Sequence, residues 1–214
     1  MNIKSRGADA QILERTLIYI PIIHTQADMG ALSEAVRRAT LQKLGKKSWK
    51  RKVHLTDKMW TDIEQVIDAL DLPYGKVRLY QDGLPVCGRE VEIVTELAKA
   101  GGRNHRLVLR LMERGATIMG TESSELLVEE YERIKQMMAA GGTLEASKSK
   151  APQKALGDLL LIKRDQFIAD RINNTLRAGE TGILFLGMLH ALENWLDKDI
   201  KVIYQINRPF SQRF

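Results

Sequence analysis

The sequence has little cysteine and no long apolar segment. Cys87 is the only cysteine, so no internal disulfide can form, which favours a reducing compartment. The longest apolar run covers residues 17–23 (LIYIPII), whereas a membrane-spanning helix needs about 20 apolar residues. The first residues also lack the apolar stretch and small-residue cleavage site of a secretory signal. We therefore expect a cytoplasmic protein that does not associate with membranes.

Several familiar catalytic and nucleotide-binding motifs are also absent. The sequence contains no G-x-S-x-G nucleophile elbow, no phosphate-binding G-x-x-x-x-G-K-[ST] loop and no dinucleotide-binding G-x-G-x-x-G. It has neither H-E-x-x-H nor a C-x-x-C pair, which excludes the familiar zinc sites. Cys87 has no activating residue near it in the sequence, so nucleophilic catalysis is poorly supported.

The composition is that of an ordinary globular protein. Apolar residues make up 44% and charged residues 28% of the 214 residues. A domain of this size buries roughly 70% of its unfolded surface, so it needs no disulfide or metal for stability. We predict a single domain over residues 1–214. Residues 141–154, which are rich in Gly, Ser and Lys, predict a mobile loop within it.

The net charge of +6 permits binding to nucleic acids or anionic surfaces. Lysine and arginine are dense only in residues 46–52 (KKSWKRK). We interpret these residues as a solvated loop between a helix that stops at Gly45 and a helix capped by Thr56. The alternative is a phosphate-binding patch in which the Trp49 indole is available for stacking.

Strand-like and helix-like segments alternate along the chain. The predicted strands are residues 17–23, 76–80, 116–120, 181–187 and 200–206. The predicted helices are residues 28–44, 56–70, 90–100, 103–114, 124–138, 156–178 and 191–196. This alternation predicts an α/β fold with a mainly parallel central sheet flanked by helices. Pro21 cannot donate a ladder hydrogen bond, so we expect it at an edge, a bulge or near a strand end.

Four predicted strands end in groups that bind metals or transfer protons. His24, Asp82, Glu122 and His190 follow the first four strands in order. Sites in parallel sheets form beyond the carboxyl ends of the strands, so we expect these four residues to gather into one polar site. Each also has a structural interpretation: a histidine binds a backbone carbonyl, Glu122 complements a helix dipole, and Asp82 forms an Asp-Gly turn.

Two adjacent charged residues on the helix before the fourth strand are further candidates. Arg164 and Asp165 are neighbours, so they cannot share a helix face. We expect one to point to the site and the other to bind a neighbouring segment; an exposed charged pair is the alternative. Arg164 is suited to stabilising a developing oxyanion, and Asp165 to orienting a histidine or the arginine.

The segments RDQFIADRINNTL and TGILFLGMLH carry an Arg-Asp pair, an apolar residue and Ala three and four positions later, and a strand ending in G-x-x-H. The residues are Arg164, Asp165, Ile168, Ala169, Gly187 and His190. This pattern resembles that of the TraB, Tiki, ChaN and erythromycin esterase-like superfamily. His24 corresponds to the histidine of an early G-E-x-x-H element whose Gly and Glu this chain lacks. Glu122, or Asp82, corresponds to a strand-end glutamate.

Members of that superfamily include proposed metal-dependent proteases, hydrolases of a macrolide ester and a haem-binding lipoprotein. The resemblance and the strand-end residues together lead us to expect a hydrolase of a small molecule or peptide. Either His24, Glu122 and His190 hold a divalent metal (Mn, Co or Zn) that activates water, or one histidine acts as a general base.

Two other functions remain open at this point. The same site is suited to binding haem or another anionic ligand without chemistry, with a histidine as an axial ligand. A nucleic-acid-associated protein that uses residues 46–52 is a further, less favoured alternative. An exposed edge strand would also allow a homo-oligomer.

Overall fold

The computed structural model describes residues 14–23, 33–139 and 150–205. Its strands are β1 (Arg15–Ile22), β2 (Val77–Gln81), β3 (Thr117–Met119), β4 (Thr181–Gly187) and β5 (Ile200–Tyr204). They form one sheet in the order β3-β2-β4-β1-β5, and every neighbouring pair is parallel. The predicted α/β class is therefore confirmed.

Five α-helices connect the strands within the described residues. They are α1 (Ser33–Asp68), α2 (Glu90–Lys99), α3 (Arg103–Glu113), α4 (Ser124–Ala139) and α5 (Lys150–Thr175), and a 3-10 turn (Tyr74–Lys76) precedes β2. The chain moves toward one edge of the sheet from β1 to β3 and then returns to place β4 between β2 and β1. Loops leave the carboxyl ends of these central strands in opposite directions, the arrangement that opens a crevice for a site.

Both faces of the sheet are covered. Successive side chains in β1 point to opposite faces: Ile18 and Ile20 join the apolar core formed with α1, α2 and α3, while Leu17 and Tyr19 join the core formed with α5. Burial on both sides explains why this strand is almost continuously apolar rather than alternating.

The strand predictions agree with the structure to within one or two residues over its described part. Pro21 lies near the end of β1, where it pairs with Leu186 of β4 beyond the last residue paired to β5. A missing ladder donor is tolerated there because one side of the strand is already unpaired. The predicted end of the last strand at residue 206 lies outside the described residues.

Two predictions of local structure are wrong. Residues 46–52 are not a loop, because α1 continues through them, and Thr56 is buried inside the helix rather than capping it. Gly45 does interrupt the helix, with φ 73° and ψ 165°, but the helix resumes at once. Residues 191–196 contain a turn rather than a helix. The N–H groups of Trp195 and Leu196 both donate to the Leu192 carbonyl, whereas the N–H of Ala191 donates to Asp165.

The predicted mobile loop at residues 141–154 falls mostly outside the described residues, and its last residues belong to α5. Across the three described ranges, no helix combines the length and the apolar character needed to cross a membrane.

Candidate functional site

Three of the predicted strand-end residues lie together at the carboxyl edge of the sheet. Asp82 directly follows β2, Glu122 follows β3 after a short turn, and His190 follows β4. All three are buried, and Glu122 is completely inaccessible to solvent. Charged and polar side chains are rarely buried without partners, so the contacts among these residues define what the site can do.

Glycines allow the turns at β2 and β3 to approach each other closely. Gly83, with φ 76°, lets the chain reverse after Asp82 in a conformation that L side chains rarely adopt. At Gly120, a Cβ atom would lie 2.7 Å from the Cα of Val86 and 3.1 Å from the Pro85 carbonyl oxygen. This contact between the two loops brings Glu122 beside Asp82.

Arg164 of α5 holds Glu122 in a two-pronged ion pair. Its Nε donates to Glu122 Oε2 at 2.7 Å and its Nη2 donates to Glu122 Oε1 at 2.6 Å. The same Nη2 reaches Asp82 Oδ1 at 3.1 Å, and Nη1 donates to Glu130 of α4. Four hydrogen bonds to three carboxylates engage most of the five N–H groups of the guanidinium, and α5 is thereby joined to both strand-end loops.

Asp82 joins the ends of β2 and β4. Its Oδ2 accepts a 2.8 Å hydrogen bond from the backbone N–H of Gly187, the last residue of β4, while its Oδ1 faces Arg164. The backbone N–H of Gly83 donates in turn to Glu122 Oε1 at 2.9 Å. Asp82 therefore takes part in the site itself and is more than the first residue of an Asp-Gly turn.

Asp165 and His190 form a second buried pair. Asp165 Oδ1 lies 2.6 Å from His190 Nδ1, and Asp165 Oδ2 accepts a hydrogen bond from the backbone N–H of Ala191 at 3.0 Å. The other ring nitrogen, Nε2, lies 3.8 Å from Asp82 Oδ2, beyond hydrogen-bond length. No described residue makes a hydrogen bond to Nε2, so this nitrogen is available for a ligand or a proton.

The neighbouring charges Arg164 and Asp165 both face the site but bind different loops. Successive helix positions point about 100° apart, and the two side chains use this angle to reach the loops after β3 and β4. The expectation that one residue would serve the site and the other a neighbouring segment is therefore too simple, because each does both. We call Asp82, Glu122, Arg164, Asp165 and His190 the strand-end cluster.

Burial and neighbouring charges have opposite effects on the pKa values of Glu122 and Arg164 in the strand-end cluster. Burial raises the pKa of Glu122 above its usual value, an effect that Arg164 opposes and the nearby Asp82 carboxylate reinforces. For Arg164, burial acts to lower the pKa, but the carboxylates of Glu122, Glu130 and Asp82 outweigh it and raise the pKa. The arginine therefore stays charged, while burial and the Asp82 carboxylate act to favour the protonated form of Glu122.

Sequence reasoning missed Glu130 and Thr121. Glu130 lies near the middle of α4 and contributes the third carboxylate to Arg164, but its position among several exposed glutamates gave no signal. Thr121 accepts the backbone N–H of Gln81 through its hydroxyl and is fully buried. Its place directly before Glu122, at a predicted strand end, was the only available hint.

His24, predicted as a metal ligand, lies outside the described residues. Its strand approaches the same edge, because Ile22 of β1 is in register with Gly187 of β4. Among the described residues, no group of three or more His, Cys, Asp or Glu side chains is arranged to hold a metal ion. Both carboxylate oxygens of Glu122 already accept hydrogen bonds from Arg164, so this residue is poorly placed to ligate a metal.

Comparison with known proteins adds no relative to this picture. No family model, no curated protein and no solved structure matches the chain.

Proposed function

We propose that the protein is a hydrolase in which His190, oriented by Asp165, acts as the general base that activates water. The observation that carries this proposal is the 2.6 Å contact between Asp165 Oδ1 and His190 Nδ1. A carboxylate can only accept a hydrogen bond, so Nδ1 carries the proton, and in the neutral imidazole Nε2 keeps a lone pair. Nε2 is then the atom that takes a proton from water.

The chemistry is that of ester or peptide hydrolysis. Water loses a proton to His190 Nε2 as its oxygen attacks the substrate carbonyl carbon. The protonated imidazole then returns that proton to the leaving oxygen or nitrogen as the carbonyl–heteroatom bond breaks. Asp165 stabilises the imidazolium between these two steps and holds the ring through the backbone N–H of Ala191 as well.

Arg164 and Glu122 act as positioning residues in this proposal. The predicted role of Arg164 as an oxyanion donor would require it to give up a carboxylate partner, since four hydrogen bonds already engage it. Its ion pairs instead fix the loops after β2 and β3, and they keep the Asp82 carboxylate 3.8 Å from His190 Nε2.

The metal-dependent version of the proposal has less support from the described donors. Both carboxylate oxygens of Glu122 accept hydrogen bonds from Arg164, and His24 lies outside the described residues. Of the three residues predicted to bind Mn, Co or Zn, this leaves His190 as the described one with a free donor atom. The resemblance to the TraB, Tiki, ChaN and erythromycin esterase-like proteins is consistent with a histidine after a central strand and an Arg-Asp pair on the preceding helix. It favours neither mechanism over the other.

The proposal is tested by measuring turnover of p-nitrophenyl acetate, p-nitrophenyl butyrate and a quenched fluorescent casein. Wild type is compared with His190→Gln and Asp165→Asn, and His54→Gln serves as a matched control because His54 is an exposed histidine. Removal of a general base typically costs about 10²- to 10⁴-fold in rate. We expect losses in this range for His190→Gln, a smaller loss for Asp165→Asn and no loss for His54→Gln.

Each other outcome has a defined meaning. Full activity of His190→Gln would overturn the proposal. Activity that disappears with EDTA and returns with Mn²⁺, Co²⁺ or Zn²⁺ would favour the metal-dependent version. Absence of turnover in wild type, with or without these metals, combined with a Soret shift on haem titration that His190→Gln abolishes, would favour the non-catalytic alternative.

A further inference from the structure

The positive charge of the protein is concentrated in one part of α1. The 22 residues between Glu34 and Asp57 contain eight Lys and Arg and no Asp or Glu, so the other 192 residues hold 25 cations against 27 acids. The net charge of +6 therefore comes entirely from this stretch. In the described structure, none of the cations in residues 46–52 forms an ion pair, whereas Arg37 and Lys58 on either side pair with Glu34 and Asp62.

This part of α1 extends away from the core. Residues 46–55 are helical and exposed except for Trp49, which is half-buried, and the buried residues of the helix begin at Thr56 and Trp60. Residues 46–68 alone span roughly 34 Å at the usual helix rise, whereas the seven-residue β4 spans roughly 23 Å. Because α1 ends shortly before β2 begins at the amino edge of the sheet, we infer that its exposed part lies toward the carboxyl edge.

The cations form a stripe along the projecting helix. At about 100° per residue, Lys46, Lys47, Lys50 and Arg51 fall within about 140° of one another on the helix surface. The centre of this stripe lies about 110° around the helix from Trp60, which packs into the core. Five cations in residues 46–52 occupy roughly 10.5 Å of helix, or one charge per about 2.1 Å, which is comparable with the one charge per about 1.7 Å of duplex DNA.

We propose that residues 46–55 of α1 bind the phosphate backbone of nucleic acid. The match of charge density favours a polyanion with closely spaced charges. An anionic membrane is disfavoured, because insertion requires a single apolar face, and the exposed Val53 and Leu55 point about 160° apart around the helix. The proposal is independent of the strand-end cluster and of the hydrolase proposal.

The test measures fluorescence anisotropy of a labelled DNA duplex of about 20 base pairs with the full chain at 50 and 200 mM NaCl. One variant removes four charges from the stripe and its flank: Lys47→Gln, Lys50→Gln, Arg51→Gln and Lys52→Gln. A matched variant removes four exposed lysines elsewhere: Lys76→Gln, Lys99→Gln, Lys198→Gln and Lys201→Gln. A third variant, Lys47→Arg with Lys50→Arg, retains the charges. Far-UV circular dichroism checks that all variants stay folded.

We expect wild-type affinity to fall by roughly 100- to 500-fold between the two salt concentrations, as for four or five phosphate contacts. The α1 variant with four glutamine substitutions should bind the duplex at least about tenfold more weakly at 50 mM NaCl, and its affinity should depend less steeply on salt. The matched variant should lose much less, and the arginine variant should bind like wild type. Equal losses in both glutamine variants, or no binding by wild type at 50 mM NaCl, would overturn the proposal. So would α1-dependent binding to phosphatidylserine vesicles or to poly-glutamate without binding to the duplex.

Discussion

Arg164 and the cations of residues 46–52 differ in burial and in the number of acidic partners. Arg164 is buried and is bound by Asp82, Glu122 and Glu130. The five cations on α1 are exposed and have no ion-pair partner among the described residues. Both sets lie toward the carboxyl edge of the sheet, so their position does not explain the difference.

The difference separates charges that the fold needs from charges that it does not. A buried ion is costly unless its own partners satisfy it, so the contacts of Arg164 are part of the folding free energy. Exposed cations contribute little to stability, and the five in residues 46–52, which have no acidic residue among them, repel one another. Their presence is therefore better explained by a partner than by the fold, which is why we assign them to binding.

The largest expected effect comes from removing the buried cation. Arg164→Met keeps much of the side-chain volume but leaves Asp82, Glu122 and Glu130 without their shared partner. Breaking a buried ion pair on one side typically costs about 3–5 kcal/mol, and we expect a loss of this size in the free energy of unfolding. Urea denaturation at pH 7 measures it.

The matched control is Arg164→Met combined with Glu122→Gln, which also removes the most deeply buried carboxylate. The double variant should be less destabilised than the sum of the two single variants, because each single change leaves a charge unpaired. Additive losses would mean that Arg164 and Glu122 contribute independently, contrary to the geometry of their contact.

An intermediate effect is expected at a half-buried pair on the opposite edge of the sheet. Arg78 of β2 binds Glu180 through two nitrogens, at 3.0 and 2.7 Å, and this contact lowers the pKa of Glu180 below its usual value. Because the pKa of Glu180 is lower in the folded state, its charge stabilises the fold at pH values above the unfolded-state pKa of about 4.3. This stabilisation is lost as the pH falls through the lower folded-state pKa. Glu180→Gln should cost about 1–3 kcal/mol at pH 7.

The pH dependence provides the control for that prediction. Thermal unfolding of wild type and Glu180→Gln should differ most near pH 7 and converge as the pH drops well below 4, where both side chains are uncharged in both states. A gap of constant size over this pH range would show that lost packing rather than lost charge causes the destabilisation.

The smallest effect on stability is expected for the α1 variant with four glutamine substitutions. Surface substitutions away from special features usually stay within about 0.5 kcal/mol each, and relief of repulsion among the cations favours the variant. We expect an unfolding free energy equal to or slightly above that of wild type in urea denaturation. A marked loss would show that these cations serve the fold, and would end the contrast with Arg164.

The sequence identified the sheet and most of the site because two simple rules apply. Buried parallel strands are short apolar runs, and their carboxyl ends lie at one edge, so Asp82, Glu122 and His190 could be placed together before any coordinates. The pairing of Arg164 with three carboxylates could not be predicted, because Glu130 is more than thirty residues away along the chain. The predicted stop at Gly45 agrees with its non-helical backbone, but the helical segment after it was predicted to start at Thr56 instead of directly after Gly45, because the cations of residues 46–52 resemble a solvated loop.

Long-range ¹H–¹⁵N correlation NMR of the imidazole tests most directly whether Asp165 holds His190 with the proton on Nδ1. The experiment needs no substrate. In wild type at pH 8 we expect His190 to show a protonated Nδ1 and an unprotonated Nε2, and in Asp165→Asn we expect this single tautomer to be lost. A wild-type His190 protonated at Nε2, or exchanging between the two tautomers, would contradict this assignment.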